Sequence, residues 1–172
     1  MPLPPQLACR PFQPADLPEL YAIEAACFQP PLRFTRQLLR SLCLDPRFAT
    51  WVALSSSAIV GFATVSLIPE VAPPDPTPFA YLWTIELLPA FRGLGLGSRL
   101  LALAESSVQA SGLTLLELHV AHDNLSAQAI YQRAGYQTLG LESDFYGPGH
   151  SALRLRKPIL PEPSIIPSPE MA

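Results

Sequence analysis

The chain has 172 residues, a length that suits one domain with a single hydrophobic core. Hydrophobic residues make up 49% of it and charged residues only 15%, which indicates a globular protein and excludes a disordered one. The formal net charge is -3, so no basic field indicates nucleic acid as a partner. No stretch approaches the roughly 18 apolar residues of a membrane span, and we expect no membrane partner.

The cysteines and the first residues indicate a compartment. Cys9, Cys27 and Cys43 are odd in number and form no CxxC pair. They are typical of reduced thiols, and they predict neither a disulfide framework nor a zinc or other metal site. The opening stretch, MPLPPQLACR, lacks the charged region and apolar run of a signal peptide. We therefore expect a cytoplasmic protein without a metal.

The first half of the chain is divided by its prolines. LACRPF predicts a first strand, Asp16 and Pro18 begin a helix through LPELYAIEAACF, and TRQLLRSLCL predicts a second helix with Thr35 as its N-cap. FATWVALS and AIVGFATVSLI predict a hairpin. The stretch PEVAPPDPTPF predicts a proline-rich loop, after which FAYLWTIELL predicts a strand that ends at Pro89.

The second half has no proline between Ala90 and Gly147. SRLLALAESSVQAS predicts a helix that Gly112 ends, and LSAQAIYQRA predicts another that Asn124 caps and Gly135 ends. TLLELHV, YQTLGLESDFY and SALRLRKPI predict strands. The order β-α-α-β-β-β-α-β-α-β-β predicts a single mixed α/β domain over residues 7–159. We expect residues 1–6 to be a flexible N-terminus and the proline-rich residues 160–172 to be a disordered tail.

Three glycines stand at alternate positions in LLPAFRGLGLGSRLL, where a predicted strand meets a predicted helix. Loop amides and a helix N-terminus together form an anion site, and glycine lets a phosphate approach the backbone. The segment lacks the lysine of a P-loop and the spacing of a Rossmann turn. The alternative is a tight turn that packs closely on the sheet.

FRGLGLGSRLL resembles the R/Q-x-x-G-x-G/A signature of the GNAT superfamily of acyl-CoA N-acyltransferases, and LHVAHDNLSAQAIYQRAGY is similar to a second motif of that superfamily. The resemblance covers nearly the whole domain. It implies a mixed central sheet of about seven strands with helices on both faces, and acetyl-CoA as the cosubstrate. The cofactor-binding residues that it implies are Leu87, Leu88, Arg92, Gly93, Leu94, Gly95, Leu96, Gly97, Ser98, Asn124 and Tyr131.

Within the superfamily, the chain most resembles RimI-type protein N-terminal acetyltransferases, through CFQPPLRFTRQLL and DFYGPGHSALRLRK. This likeness implies that Phe28, Pro30 and Tyr146 contact the substrate N-terminus. Phe145 replaces the first tyrosine of the family's pair, and Leu155 stands near the usual methionine. These departures concern the identity of the substrate more than the chemistry.

The general base needs only modest strength, because about a tenth of a peptide α-amine, with its pKa near 8, is already neutral at pH 7. His119 replaces the glutamate of the RimI type and lies on the opposite strand face from Leu116 and Leu118. Tyr81 matches a tyrosine of related enzymes that carry LHV. We expect His119 and Tyr81 to act together as the base, through an ordered water. The alternatives are a partly exposed structural histidine, or Glu86 as the base. Glu86 is otherwise expected to be solvated or paired with an arginine.

A general acid is needed for the departing thiolate. Tyr131 lies at the family's spacing from Asn124 and shares a helix face with Ala127. Its phenol, with an ordinary pKa of about 10, is a proton donor at neutral pH. The alternative is an aromatic core residue. We expect His122 and His150 in loops, and Trp51 and Trp83 in the core.

The predicted function is that of an acetyl-CoA-dependent N-acetyltransferase that acts on a primary amine, most of all the N-terminal α-amine of a protein or peptide. The alternatives are an N-acetyltransferase of small amines and a non-catalytic acyl-CoA-binding module. The sequence leaves the acceptor amine open, and it leaves open whether the chain is a monomer or a homodimer.

Overall fold

A computed structural model describes residues 6–161 of the chain. The predictions of a flexible N-terminus and a disordered tail fall mainly on residues 1–5 and 162–172, which lie outside the described residues. The elements are β1 (Leu7–Pro11), α1 (Leu17–Cys27), α2 (Arg36–Leu44), β2 (Phe48–Ser55), β3 (Ala58–Ala72), β4 (Asp75–Leu87), α3 (Leu96–Ser111), β5 (Leu115–Ala121), α4 (Leu125–Arg133), β6 (Gln137–Glu142) and β7 (Ala152–Pro158).

The seven strands form one sheet in the order β1-β2-β3-β4-β5-β7-β6. Every neighbouring pair is antiparallel except β4 and β5, which are parallel because α3 crosses over between them. The predicted element order and the mixed seven-stranded sheet are confirmed. Within residues 6–161, no helix is long and apolar enough to cross a membrane.

Helices cover both faces of the sheet, as predicted. On one face, Leu20 and Ile23 of α1 and Leu39 of α2 pack against Val52 and Phe62 of the sheet. On the other face, α3 packs against β2 and β3, and α3 and α4 pack against the strands from β4 to β7. Residues next to each other in a strand, such as Val52 and Ala53, therefore enter different cores.

The predicted helix ends are confirmed by their geometry. Thr35 Oγ1 accepts a hydrogen bond from the Leu38 N–H at 3.1 Å, and Asn124 Oδ1 accepts one from the Ala127 N–H at 3.2 Å. Gly112 follows α3 with φ +83°, a left-handed conformation that glycine adopts without steric cost.

The proline-rich loop is the one large error of the predicted elements. PEVAPPDPTPF continues both β3 and β4, which pair as far as Ala72 and Asp75. In this paired extension of β3 and β4, here called the proline ribbon, the ladder of hydrogen bonds is interrupted. Prolines are tolerated there because some positions need no N–H donor. Arg156 of β7 forms an ion pair with Asp75 and fixes the ribbon to the sheet.

Candidate active site

The two central parallel strands separate and create a cavity. β4 and β5 pair only between Ala80–Leu82 and Leu116–Leu118, although both strands continue further. In β4, the register against β3 shifts at Trp83, so this residue is left out of the ladder. A cavity of about 100 Å³, here called the central cavity, lies at this opening. His119 of β5 and Tyr131 of α4 both line it.

His119 and Tyr81 are brought together as predicted, because their strands are neighbours. The Tyr81 hydroxyl and His119 Nδ1 are 2.7 Å apart, and the His119 side chain is only 10% exposed. Burial raises the pKa of Tyr81 well above its usual value, so the phenol keeps its proton. The pair therefore shares one hydrogen bond and can accept one further proton.

Two neighbours that the sequence did not indicate complete the surroundings of His119. The Phe145 ring stacks on the imidazole with 3.8 Å between the ring centroids. Glu142 Oε2 of β6 lies 3.0 Å from His119 Nε2, which is close enough for an ion pair. The direction of the contact does not meet the requirements of a hydrogen bond, so Nε2 has no hydrogen-bond partner. The Glu142 carboxylate therefore faces the edge of the imidazole.

Tyr131 lies on α4, on the other side of the opening. Its side chain is 9% exposed, and burial raises the pKa of its phenol above the usual value. The ring contacts Tyr136 edge to face, which fixes it against the core. Tyr131 is thus both a core residue and a lining residue of the central cavity, and its phenol is a proton donor at neutral pH.

The glycine segment, Arg92–Ser98, turns from β4 into α3. Gly93 and Gly95 have φ of +75° and +83°, and a Cβ atom at either position would meet no atom within 4 Å. Backbone conformation, not packing inside the protein, is therefore what requires glycine there. No side chain caps α3, so the N–H groups of its first turn are free to bind an anion such as a diphosphate.

Backbone groups of two predicted cofactor residues already have partners. The Leu87 carbonyl accepts a hydrogen bond from Arg92 Nε at 3.0 Å, and the Leu88 N–H donates one to the Val60 carbonyl at 2.9 Å. The N–H groups of Leu96, Gly97 and Ser98, in the first turn of α3, remain as candidate donors to a diphosphate.

Two loops face each other across the opening, and we call them the loop pair: residues 28–34, between α1 and α2, and residues 143–151, between β6 and β7. They touch where Pro31 lies 3.6 Å from a Cβ built on Gly147. The predicted substrate residues Phe28, Pro30 and Tyr146 all line a cavity of about 350 Å³ between them. Burial raises the pKa of Tyr146 to about 12.

Glu86 is neither solvated nor paired with an arginine, which corrects both structural expectations. It is 2% exposed, and its Oε1 accepts a hydrogen bond from Thr84 Oγ1 at 2.7 Å. Burial, and next the neighbouring Glu24, raise the pKa of Glu86 to about 10. Glu86 does not line the central cavity, whereas Glu24 does.

The structure agrees with the predicted positions of His122, His150 and Trp51 but not with that of Trp83. His122 and His150 lie in loops, as predicted, and line the cavity of the loop pair. Trp51 is half-buried and packs against the core, where its Nε1 donates to Ser107 Oγ at 3.0 Å. Trp83 is also half-buried, but it lines the central cavity, because the register shift turns it out of the ladder.

The family model described as Acetyltransferase (GNAT) family matches residues 17–136. The chain belongs to the GNAT acetyltransferase family. The matched residues include the glycine segment, His119 and Tyr131. GNAT acetyltransferases take the acetyl group from acetyl-CoA, whose diphosphate fits the free amides and positive-φ glycines at the start of α3.

Three other proteins are similar to this chain in sequence. The chain is 31% identical over 138 residues to the N-alpha-acetyltransferase RimI of Mycobacterium tuberculosis, which covers 77% of this chain and 79% of that protein. It is 27% identical over 144 residues to the N-terminal acetyltransferase A complex catalytic subunit ard1 of Schizosaccharomyces pombe. That match covers 83% of this chain and 73% of that protein. It is 29% identical over 140 residues to an uncharacterized protein of Mycobacterium leprae, with 77% of this chain covered but only 35% of that protein.

Solved structures show the same fold. The ribosomal-protein-S18-alanine N-acetyltransferase of Escherichia coli superposes with a TM-score of 0.74 at 21% identity and covers 94% of this chain and 99% of that chain. NAA60 of Arabidopsis thaliana, in complex with a bisubstrate analogue, gives 0.77 at 18% identity, with 89% and 98% covered. Naa50 of the same plant, in complex with the bisubstrate analogue CoA-Ac-MVNAL, gives 0.72 at 19% identity, with 88% and 97% covered.

Sequence reasoning missed Glu24, although a signal for it existed. Leu20, Ile23, Glu24 and Cys27 follow the i, i+3, i+4, i+7 spacing of a buried helix face, so the glutamate stands in an apolar stripe. Glu142 gave no such signal, because its contact with His119 depends on how the three strands β5, β7 and β6 are aligned.

Proposed function

We propose that the protein acetylates the N-terminal α-amine of a protein or peptide by direct attack of the amine on acetyl-CoA. The observation that carries the proposal is the central cavity, in which a histidine paired with a tyrosine and a second, separate tyrosine line one small space. A thioester placed there would have a proton acceptor on one side and a proton donor on the other.

His119 and Tyr81 take the proton from the amine, directly or through one water. Whichever atom of the pair carries the shared hydrogen, one added proton leaves a phenol and an imidazolium, and Glu142 faces that positive charge. Glu86 fits the role of base poorly, because it is already protonated at neutral pH and does not line the cavity.

Tyr131 donates its phenol proton to the CoA thiolate when the tetrahedral intermediate collapses. The new amide bond forms as the C–S bond breaks, and Tyr131 regains a proton from solvent after the thiol leaves. A phenol whose pKa is raised by burial gives up its proton only to a developing anion, which suits an acid that acts late.

A peptide acceptor is supported by the loop pair and by the relatives. The loop pair forms a cavity of about 350 Å³. Phe28, Asn124 and Tyr146 line both this cavity and the central cavity. RimI and ard1 are named as N-terminal acetyltransferases, and NAA60 and Naa50 were solved with bisubstrate analogues.

The deciding experiment is acetyl transfer from acetyl-CoA to a panel of peptides that differ in their first two residues, with N-terminally blocked peptides and polyamines as controls. We expect turnover of particular free N-termini and none of the blocked peptides. Turnover of polyamines alone would make the protein a small-amine acetyltransferase. Binding of acetyl-CoA without any transfer would leave an acyl-CoA-binding module.

A further inference from the structure

Two buried glutamates face each other beside the central cavity. Glu24 of α1 is 3% exposed and Glu86 of β4 is 2% exposed. One oxygen of each is bonded: Glu24 Oε1 accepts from the Phe34 N–H, and Glu86 Oε1 accepts from Thr84 Oγ1, both at 2.7 Å. The remaining Oε2 atoms are both buried and bind no other group of the described residues, while the two side chains lie within hydrogen-bond reach of each other. Two carboxyl groups can be buried in contact only when a proton lies between them.

Burial and the neighbouring Glu24 raise the pKa of Glu86 to about 10, and Glu24 already accepts the Phe34 N–H, so we place the shared proton on Glu86. Its hydroxyl then donates to Glu24, and every buried oxygen of the pair has a partner. The other titratable groups that face the pair are Cys27 of α1 and Cys43 of α2, and burial raises the pKa of both thiols. Arg92 contacts Cys27 Sγ and neither carboxyl group.

The acid pair connects the strand of the acetyl-CoA site to the loop that borders the acceptor. Glu86 lies one residue before Leu87, where β4 ends ahead of the glycine segment. Glu24 holds the backbone of Phe34, at the end of the loop that carries Phe28 and Pro30. The Phe34 ring in turn meets Trp83 edge to face, with 6.2 Å between the ring centroids. One hydrogen-bonded chain therefore runs from β4 to this loop.

We propose that Glu86 is a positioning residue: by donating a hydrogen bond to Glu24, it holds residues 28–34 in place over the central cavity for the acceptor. The proposal rests on the proposed function, because an acceptor bound by this loop is part of it. No proton leaves the pair during the reaction. The Glu86 hydroxyl donates to Glu24 Oε2, and Glu24 Oε1 accepts from the Phe34 N–H, before and after turnover.

The kinetic test compares Glu86→Gln with Glu86→Ala. Glutamine keeps a donor toward Glu24, so we expect the acceptor KM to stay within about twofold of the wild type. Alanine leaves Glu24 Oε2 buried and without a donor, so we expect the acceptor KM to rise about tenfold while the KM for acetyl-CoA changes little. Glu105→Ala is the control, because Glu105 is likewise hydrogen-bonded within the protein, to Tyr136 and Lys157, but on the other face of the sheet. It should lower stability without a change in the acceptor KM.

The pH dependence adds a readout that a purely structural role would not change. The ratio of the wild-type acceptor KM to that of Glu86→Gln should be near one at neutral pH and rise as the pH approaches about 10, where Glu86 ionises against Glu24. Taking the ratio cancels the titration of the acceptor amine. A flat ratio, equal acceptor KM values for the glutamine and alanine variants, or an equal rise in Glu105→Ala would each overturn the proposal.

A second measurement needs no turnover and separates this proposal from the proposed function. In a Trp51→Phe background, the fluorescence of Trp83 reports its contact with Phe34. We expect Glu86→Ala to shift the emission and Glu86→Gln to leave it in place. A wild type that acetylates no peptide would refute the proposed function, while this comparison would still decide the role of Glu86. Identical spectra for the two variants would overturn it.

Discussion

The glycine segment and the loop pair are built on different principles. The glycine segment depends on backbone: two positive-φ glycines and a helix start without a side-chain cap. The loop pair depends on side chains from distant parts of the chain, such as Phe34 against Trp83 and Pro31 near Gly147. A backbone cradle suits an invariant ligand such as a diphosphate, whereas side-chain contacts can vary with the acceptor. Changes to each region should therefore affect different kinetic constants.

The largest expected effect lies between the two regions, at Tyr131. Tyr131→Phe removes one hydroxyl and keeps the ring, so we expect kcat to fall by about 10²-fold, as for the loss of one general acid. Acetyl-CoA affinity and the melting temperature should change little, and neither region should be disturbed. Steady-state kinetics and thermal unfolding together check this. Full activity would remove the acid role, and a large loss of stability would make Tyr131 a core residue only.

A smaller effect is expected on the acceptor side, at His119 and Tyr81. Because about a tenth of an α-amine is neutral at pH 7, loss of the base should lower kcat/KM by about tenfold there. His119→Ala should also change the pH profile of kcat/KM, because the group that takes the proton is removed. Tyr81→Phe should act in the same direction.

The double variant His119→Ala with Tyr81→Phe sharpens this result. Groups that act as a unit are not additive, so the double variant should be little slower than the slower single variant. The Glu86→Gln variant is the counter-test for the competing base. An unchanged pH profile in His119→Ala together with inactivity of Glu86→Gln would assign the base to Glu86.

A matched glycine pair tests the backbone side alone. Gly95 and Gly112 both have φ of +83°, both have open space around a built Cβ, and they stand at opposite ends of α3. Changing either to alanine should cost a similar free energy of about 1 kcal/mol from left-handed strain. Only Gly95→Ala should reduce the rise in melting temperature that acetyl-CoA causes. Equal losses of that rise in both variants would show that strain, not the diphosphate cradle, explains it.

The same contrast explains what the sequence could predict. The glycine segment, the caps at Thr35 and Asn124 and the ends of α3 follow from local spacing, and the element order followed from them. The pairing of Tyr81 with His119 was also accessible, since the two strands are neighbours in the family that the motifs resemble. The contacts of Glu86, Glu142 and Trp83 were not, because they depend on register shifts and on strands far apart in the chain.

The prediction of a loop for PEVAPPDPTPF was wrong for a related reason. Proline content predicts a loop when each segment is considered alone, but the ribbon is held by Asp75, whose partner Arg156 lies in the last strand. Arg156 also binds Glu117, and so does Arg154, so a buried carboxylate of β5 is balanced by two cations. Glu86, on the neighbouring strand β4, faces a second acid, Glu24, instead of a cation. This difference between two buried glutamates leads to the last prediction, which concerns stability.

The last expected effect is a trend with pH and not a single loss: a change in how stability depends on pH. The pKa of Glu86 is raised from 4.5 to about 10 in the folded protein, so between these values the folded state binds more protons than the unfolded state. The free energy of unfolding therefore falls as pH rises through this window. Glutamine does not titrate. In urea unfolding, Glu86→Gln should match the wild type near about pH 5 and become the more stable of the two toward about pH 9. Glu117→Gln should instead be less stable throughout, because it weakens the two ion pairs that this buried side chain makes with Arg154 and Arg156. A constant difference between wild type and Glu86→Gln across this range would mean that Glu86 holds no extra proton in the folded state.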